Sequence, residues 1–180
     1  QIISSIQQAI QVMLDPADCG PACISLSQDV QGEVFEYPED FFKERVHVIR
    51  RPKPDDYQIK EAAELIKKSK KPLIISGGGV FYSDATDELS SFATKHNIPV
   101  TQTVMGYSTM KKDHSHYLGA IGGLGGRAAN NLSKETDMAI AIGTKLADFT
   151  TGSWTNFENP DFKLVSINAA RFDANKHMAQ

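Results

Sequence analysis

Cysteine is scarce: the chain of 180 residues has two, Cys19 and Cys23, spaced C-x3-C. A disulfide framework needs more of them, and a zinc site needs four converging ligands, so both are expected to be reduced, structurally inert thiols. Charge of either sign is not in excess. The net value of −3 gives no electrostatic reason to expect nucleic acid or an anionic membrane as a partner. No apolar run approaches the ~20 residues that span a bilayer. The first residues, Gln1-Ile2-Ile3-Ser4-Ser5, lack a basic stretch followed by an apolar one, so a signal peptide is not expected and a cytoplasmic setting is. The absence of a starting Met fits a chain cut from a longer one.

Nucleophilic and metal chemistry is also thin. Ser153 and Ser166 have no nucleophile-elbow context, and no Ser/His/Asp or Cys/His set stands out. His114 and His116 have no third ligand, so a solvated pair is expected. No catalytic residue and no metal ligand is assigned.

What is present is ordinary globular composition, 41% hydrophobic and 23% charged, organised in three stretches. In residues 4–14, Ile6, Ala9, Ile10 and Met13 recur at helical spacing until Asp15-Pro16. Gly20-Pro21 then opens an apolar run, residues 22–26, that reads as a strand. One helix and one strand cannot build a core, so residues 1–32 look like the closing piece of another domain. Residues 33–56 mix acids, aromatics and prolines, as an interdomain linker does, with Phe35, Tyr37, Phe41 and Phe42 laid along a surface.

From residue 57 the pattern becomes regular. Helices are expected over 58–69, over 84–96 with Ser83 as N-cap and an acidic first turn of Asp84, Asp87 and Glu88, and over 127–135. Short apolar runs at 72–76, 98–104, 138–142 and 162–167 read as strands buried on both faces. Alternation of this kind indicates βαβ units: an α/β, Rossmann-like parallel sheet with helices on both faces.

Ligands of such a sheet bind beyond the carboxyl ends of its strands. Gly77, Gly78 and Gly79, Met105-Gly106, Gly143-Thr144 and Asn168 fall there. Glycines in these turns either let backbone N–H groups approach a phosphate or simply make tight turns. Gly123-Leu-Gly-Gly-Arg-Ala128 satisfies the G-x-G-x-x-A dinucleotide pattern. The preceding residues 113–117 read as loop, however, and no acid ends a following strand about twenty residues on, so a direct NAD site is not expected. Gly77, Gly78, Gly79, Gly123, Gly125 and Gly143 remain weak candidates for cofactor contact.

Gly20-Pro-Ala-Cys-Ile-Ser-Leu-Ser-Gln-Asp-Val30 resembles the end of the pyrimidine-binding domain in thiamine-diphosphate enzymes of the acetolactate synthase group. Lys71-Pro-Leu-Ile-Ile-Ser-Gly-Gly-Gly-Val80 resembles the first strand and turn of their central domain, and Asp137-Met-Ala-Ile-Ala-Ile-Gly-Thr-Lys-Leu146 a later strand. A narrower likeness, to the ring-opening hydrolase branch of inositol catabolism, lies in Phe35-Glu-Tyr-Pro-Glu-Asp-Phe-Phe42, His47-Val-Ile-Arg-Arg-Pro52, Asp148-Phe-Thr-Thr-Gly-Ser-Trp154, Asn168, Phe172-Asp173 and Lys176-His177.

The resemblance implies a parent enzyme using thiamine diphosphate and Mg2+, homo-oligomeric, with pyrimidine- and diphosphate-binding domains flanking this one. It assigns 1–32 to the end of the pyrimidine domain, 33–56 to the linker and 57–180 to the central domain. The family's Gly-Asp-Gly metal motif is absent here, so no catalytic or metal residue carries over. No cofactor is expected on the piece itself, although flavin-bearing relatives hold FAD on this domain. The alternatives are the central domain of an acetolactate synthase-like enzyme and a FAD- or NAD-binding module.

Overall fold

The computed structural model describes residues 1–176 and separates into two units, Gln1–Pro52 and Lys53–Gln180. The His177 of the hydrolase likeness lies outside the described residues.

Gln1–Pro52 has no buried residue. Its one α-helix, α1 (Ile2–Met13), begins two residues before the expected start and ends at Leu14. Short 3-10 turns follow at Val30–Gly32 and Glu39–Phe42. The strand expected over 22–26 does not form: Ile24 and Leu26 are 37% and 52% exposed. A strand exists only through its ladder partner, and an apolar run with none stays irregular.

Lys53–Gln180 is built around a parallel sheet. Its elements are α2 (Asp56–Lys68), β1 (Pro72–Ser76), α3 (Gly78–Tyr82), α4 (Thr86–His96), β2 (Val100–Gln102), β3 (Tyr117–Ala120), α5 (Arg127–Glu135), β4 (Met138–Ile142), α6 (Asp148–Thr151), β5 (Lys163–Ile167) and α7 (Arg171–Asn175). The strand order is β3-β2-β1-β4-β5, parallel throughout. This is the expected α/β Rossmann-like fold. Pro72 faces Met138 and Ser76 faces Ile142, so the two central strands are in register along their whole length.

Side chains alternate between two cores. Ile74, Val100, Met138, Ile140 and Val165 meet Leu89 and Ala93 of α4 and the half-buried Ala62, Leu65 and Ile66 of α2. Leu73, Ile75, Ala139 and Ala141 point the other way, toward Ala129 and Leu132 of α5 and a group of rings, Trp154, Phe157 and Phe162. Burial on both faces is why β1 and β4 read as unbroken apolar runs.

Three expectations are corrected here. Ser83 does not cap α4. It ends the short α3, its N–H donating to Gly79 O at 3.0 Å, while Ala85 is the N-cap and Asp84 sits between at φ 54°. Thus Asp87 and Glu88, but not Asp84, occupy the first turn. The strand expected over 98–104 shrinks to three residues, because Val104–Gly106 coils into a 3-10 turn held by the Thr103 side chain, which accepts from Gly106 N–H. Residues 113–116 are loop as read, but Tyr117 opens β3, a strand at the sheet edge that the sequence reading did not expect and whose pairing shifts register between Val100 and Gln102. Tyr117-Leu-Gly-Ala120 has a glycine and no β-branched residue, so its strand character comes from its neighbour β2 and not from propensity.

Candidate functional site

Strand order reverses between β1 and β4, and the crevice of an open parallel sheet belongs at that point, at the carboxyl ends. Gly77, Gly78, Gly79 and Gly143 all lie there. They meet backbone. Gly77 N–H donates to Ile142 O at 2.8 Å, Gly79 N–H to Gly143 O at 3.0 Å, and Gly143 N–H to Ile167 O at 2.8 Å. A Cβ on Gly79 would stand 2.6 Å from Gly143 Cα, and one on Gly78 2.9 Å from Met105 O. Gly143 itself has φ +59°, which L side chains rarely adopt. The need for glycine here is the close packing of the β1 and β4 turns on each other.

A hydrogen-bonded polar group closes the neighbouring stretch. Ser76, Thr101, Gln102 and Thr109 are buried. The Ser76 and Thr109 hydroxyls lie 2.7 Å apart, and Gln102 Nε2 donates to Thr109 Oγ1 and to Met110 O, both at 3.2 Å. Thr109 in turn donates to Gly106 O at 2.8 Å. These bonds tie the loop after β2 onto the ends of β1 and β2.

The second glycine cluster follows β3 and opens α5, so a strand does precede the dinucleotide-like pattern. It is nevertheless the edge strand and not the first βα unit. Its N–H groups are already used: Gly122 donates to Asn130 Oδ1 at 2.9 Å, Gly123 to Phe149 O at 2.8 Å, Gly125 to Gly122 O at 2.8 Å and Gly126 to Ala120 O at 2.9 Å. A phosphate cradle needs such donors free. The Asn130 amide, donating back to Gly122 O at 3.0 Å, organises the turn. Sequence reasoning passed over both Asn130 and Phe149; an Asn four residues inside a helix that follows a glycine run was the available signal. Within this cluster Gly123 and Gly126 leave open space, with the Phe149 ring and carbonyl near Gly123.

His114 and His116, expected as a solvated pair, are half-buried and carry hydrogen bonds. His114 Nε2 lies 3.2 Å from Thr94 Oγ1, its Nδ1 accepts from His116 N–H at 3.2 Å, and His116 Nε2 lies 2.9 Å from Asn97 Oδ1. The rings pin the β2–β3 connection to the end of α4, where Asn97 adopts a left-handed conformation that terminates the helix. Thr94 and Asn97 are too far away in sequence to announce this contact. Asn168 also has a structural partner, its Nδ2 donating to Thr144 O at 3.1 Å.

A carboxylate held by several hydrogen bonds lies at the opposite, amino edge. The Asp137 carboxylate accepts from the Ser69 hydroxyl, from Lys70 N–H at 2.7 Å and from Lys71 N–H at 3.0 Å. Partial burial pushes its carboxyl up, but these hydrogen bonds together hold it below the usual aspartate value. It clamps the α2–β1 connection to the start of β4. Two surface depressions, about 500 Å3 beside Ser90, Thr94 and His114 and about 270 Å3 beside Lys70 and Asp137, are both open and away from the carboxyl edge. Among the described residues no three His, Cys, Asp or Glu side chains are placed to hold a metal ion, and no helix is long and apolar enough to cross a membrane.

The family model for the central domain of thiamine pyrophosphate enzymes matches residues 59–180. The chain belongs to that family. The chain is also similar over 176 residues, 98% of its length, to proteins named 3D-(3,5/4)-trihydroxycyclohexane-1,2-dione hydrolase. Identity is 49% with that of Clostridium botulinum (strain Eklund 17B / Type B), where 27% of the relative is covered. It is 45% with that of Clostridium perfringens (strain 13 / Type A) and 46% with that of Bacillus subtilis (strain 168), 28% of each being covered. The chain therefore spans a little over a quarter of the length of these relatives. In the thiamine pyrophosphate central domain Gly77, Gly78, Gly79, Gly125 and Gly143 thus pack closely on backbone, and the Gly123 N–H is taken by Phe149 O.

Proposed function

We propose that this chain is the central, non-catalytic structural domain, with adjoining residues, of a thiamine-diphosphate- and Mg2+-dependent hydrolase that opens the ring of 3D-(3,5/4)-trihydroxycyclohexane-1,2-dione in inositol degradation. The observation that carries this is the reach of the likeness. Relatives of that name align over 98% of the chain, whereas the family model begins only at residue 59. The similarity therefore extends into residues that precede the central domain, where the acidic-aromatic stretch lies. In this reading residues 1–32 close the pyrimidine-binding domain, 33–56 link the two, and 57–180 separate the cofactor-binding domains within a cytoplasmic homo-oligomer.

The residues present do not fit a thiamine diphosphate or magnesium site. No metal-binding cluster forms among the described residues and no Gly-Asp-Gly occurs. No chemical step is therefore assigned to a side chain here. When bound in the intact protein, the cofactor supplies the nucleophile and electron sink. A retained flavin or nicotinamide site has little support, since the β1 and β4 turns fill the crevice with their own backbone.

The test is product analysis of the intact protein with thiamine diphosphate and Mg2+, given the cyclic dione or pyruvate. Ring-opened acid from the dione is the expected result; acetolactate from pyruvate would move the assignment to the acetolactate synthase-like branch. This chain alone should turn over neither substrate, and a micromolar or tighter thermal-shift response to FAD or NAD would overturn the scaffold reading in favour of a nucleotide-binding module.

A further inference from the structure

Within Gln1–Pro52 one group of side chains is organised. Tyr37 lies at its centre: its ring centroid is 5.0 Å from that of Phe35, edge to face, 5.4 Å from Phe41, stacked, and 6.0 Å from Phe42. Phe41 and Phe42 meet at 5.2 Å. The backbone beneath is folded to match. Phe41 N–H donates to Pro38 O at 2.9 Å, opening the Glu39–Phe42 turn, and Pro38 has its φ fixed by its own ring. The Asp40 carboxylate takes Lys43 at 3.0 Å and Arg45 at 3.2 Å. All these contacts join residues within one stretch of eleven, so little loop closure opposes them. The rings that sequence reading laid singly along a surface are gathered on each other.

We infer that residues 35–45 form a clasp that gives the segment between the two proposed domains a fixed bend and a short reach. This inference rests on reading 33–56 as a linker. A flexible chain of this acidic, Pro-containing composition would instead extend and vary in length. The clasp is local, so it forms without either flanking domain. Aromatic pairs hold it, and the Asp40 pairs, exposed and screened by salt, only bias it.

NMR of the 180-residue chain tests it. Tyr37 ring protons should be displaced from random-coil positions and show cross-peaks to Phe35, Phe41 and Phe42. Tyr37→Ala should return the Phe35 ring protons toward random-coil positions, since Tyr37 is the ring they meet, without changing the melting temperature of the Lys53–Gln180 unit. Asp40→Asn should weaken the ring contacts only at low salt. Random-coil Tyr37 signals in this chain would overturn the clasp. Neither outcome touches the activity assay, so a failed clasp and a failed functional reading are told apart.

Discussion

Gln1–Pro52 and Lys53–Gln180 are drawn from one composition and behave oppositely. The first carries α1 with apolar residues at helical spacing and an apolar run at 22–26, and buries nothing. The second places Leu73, Ile74, Ile75, Val100, Ala139 and Ile140 at or below 1% exposure. The difference is partnership rather than hydrophobicity. A helix or strand is stable when its apolar side meets another element. In the second unit each strand has a parallel neighbour, and the sheet carries helices on both faces. In the first, α1 and residues 22–26 have no such counterpart within their own unit, which is what the functional proposal requires of a piece belonging to another domain.

That contrast can be broken most directly in the core. Ile140→Ala removes a side chain at 1% exposure in the central strand pair, and urea unfolding should show a loss of about 3–5 kcal/mol. Ile24→Ala, at 37% exposure outside the sheet, should leave the same transition within about 0.5 kcal/mol. Equal effects would mean that residues 22–26 share the core after all. Next in size is Gly143→Ala. It forces a side chain into a left-handed backbone and against Gly79, so a loss of about 2–4 kcal/mol is expected in the same measurement. Little or no loss would show that the β1 and β4 turns are not packed as described, and would reopen the crevice to a ligand.

The regular half of this architecture was legible because burial on both faces writes itself as continuous apolar runs: β4 and α5 stand where the pattern put them. What was not legible depended on contacts distant in sequence. Residues 22–26 have strand composition but no ladder. Tyr117–Ala120 has poor strand composition and becomes β3 because β2 lies beside it. The glycine runs were seen, yet their chemistry is set by Gly143 against Gly79 and by Asn130 and Phe149 taking the N–H groups of 122 and 123, pairings that no spacing rule announces. The His114–Thr94 and His116–Asn97 contacts are of the same kind.

A smaller effect sharpens the comparison at the amino edge. Asp137 closes the α2–β1 connection with three hydrogen bonds, and Asp137→Ala leaves Lys70 N–H, Lys71 N–H and the Ser69 hydroxyl without their acceptor. A loss of about 1–3 kcal/mol is expected at neutral pH. Because folding holds this carboxyl below its ordinary value, its contribution is complete above about pH 4, where an unfolded aspartate is ionised. It is lost as pH falls through the lower folded value. Asp137→Asn should therefore flatten the acid limb of the stability profile, and an unchanged limb would assign that limb to other carboxylates.

The smallest effect belongs to the first unit. Gly32→Ala adds a Cβ that meets nothing within 4 Å, at a position without positive φ. With no neighbour to displace and no backbone to strain, the substitution acts through the unfolded chain alone and should change stability by less than about 0.5 kcal/mol. The same chain digested with trypsin should be cut after Arg50 before any site within the Pro72–Ile167 span, since Arg50 is exposed in irregular backbone. A glycine substitution that proved costly here, or protection of the bond after Arg50, would mean that residues 1–52 carry packing of their own, and the division between an unpartnered piece and a self-sufficient sheet would fall with it.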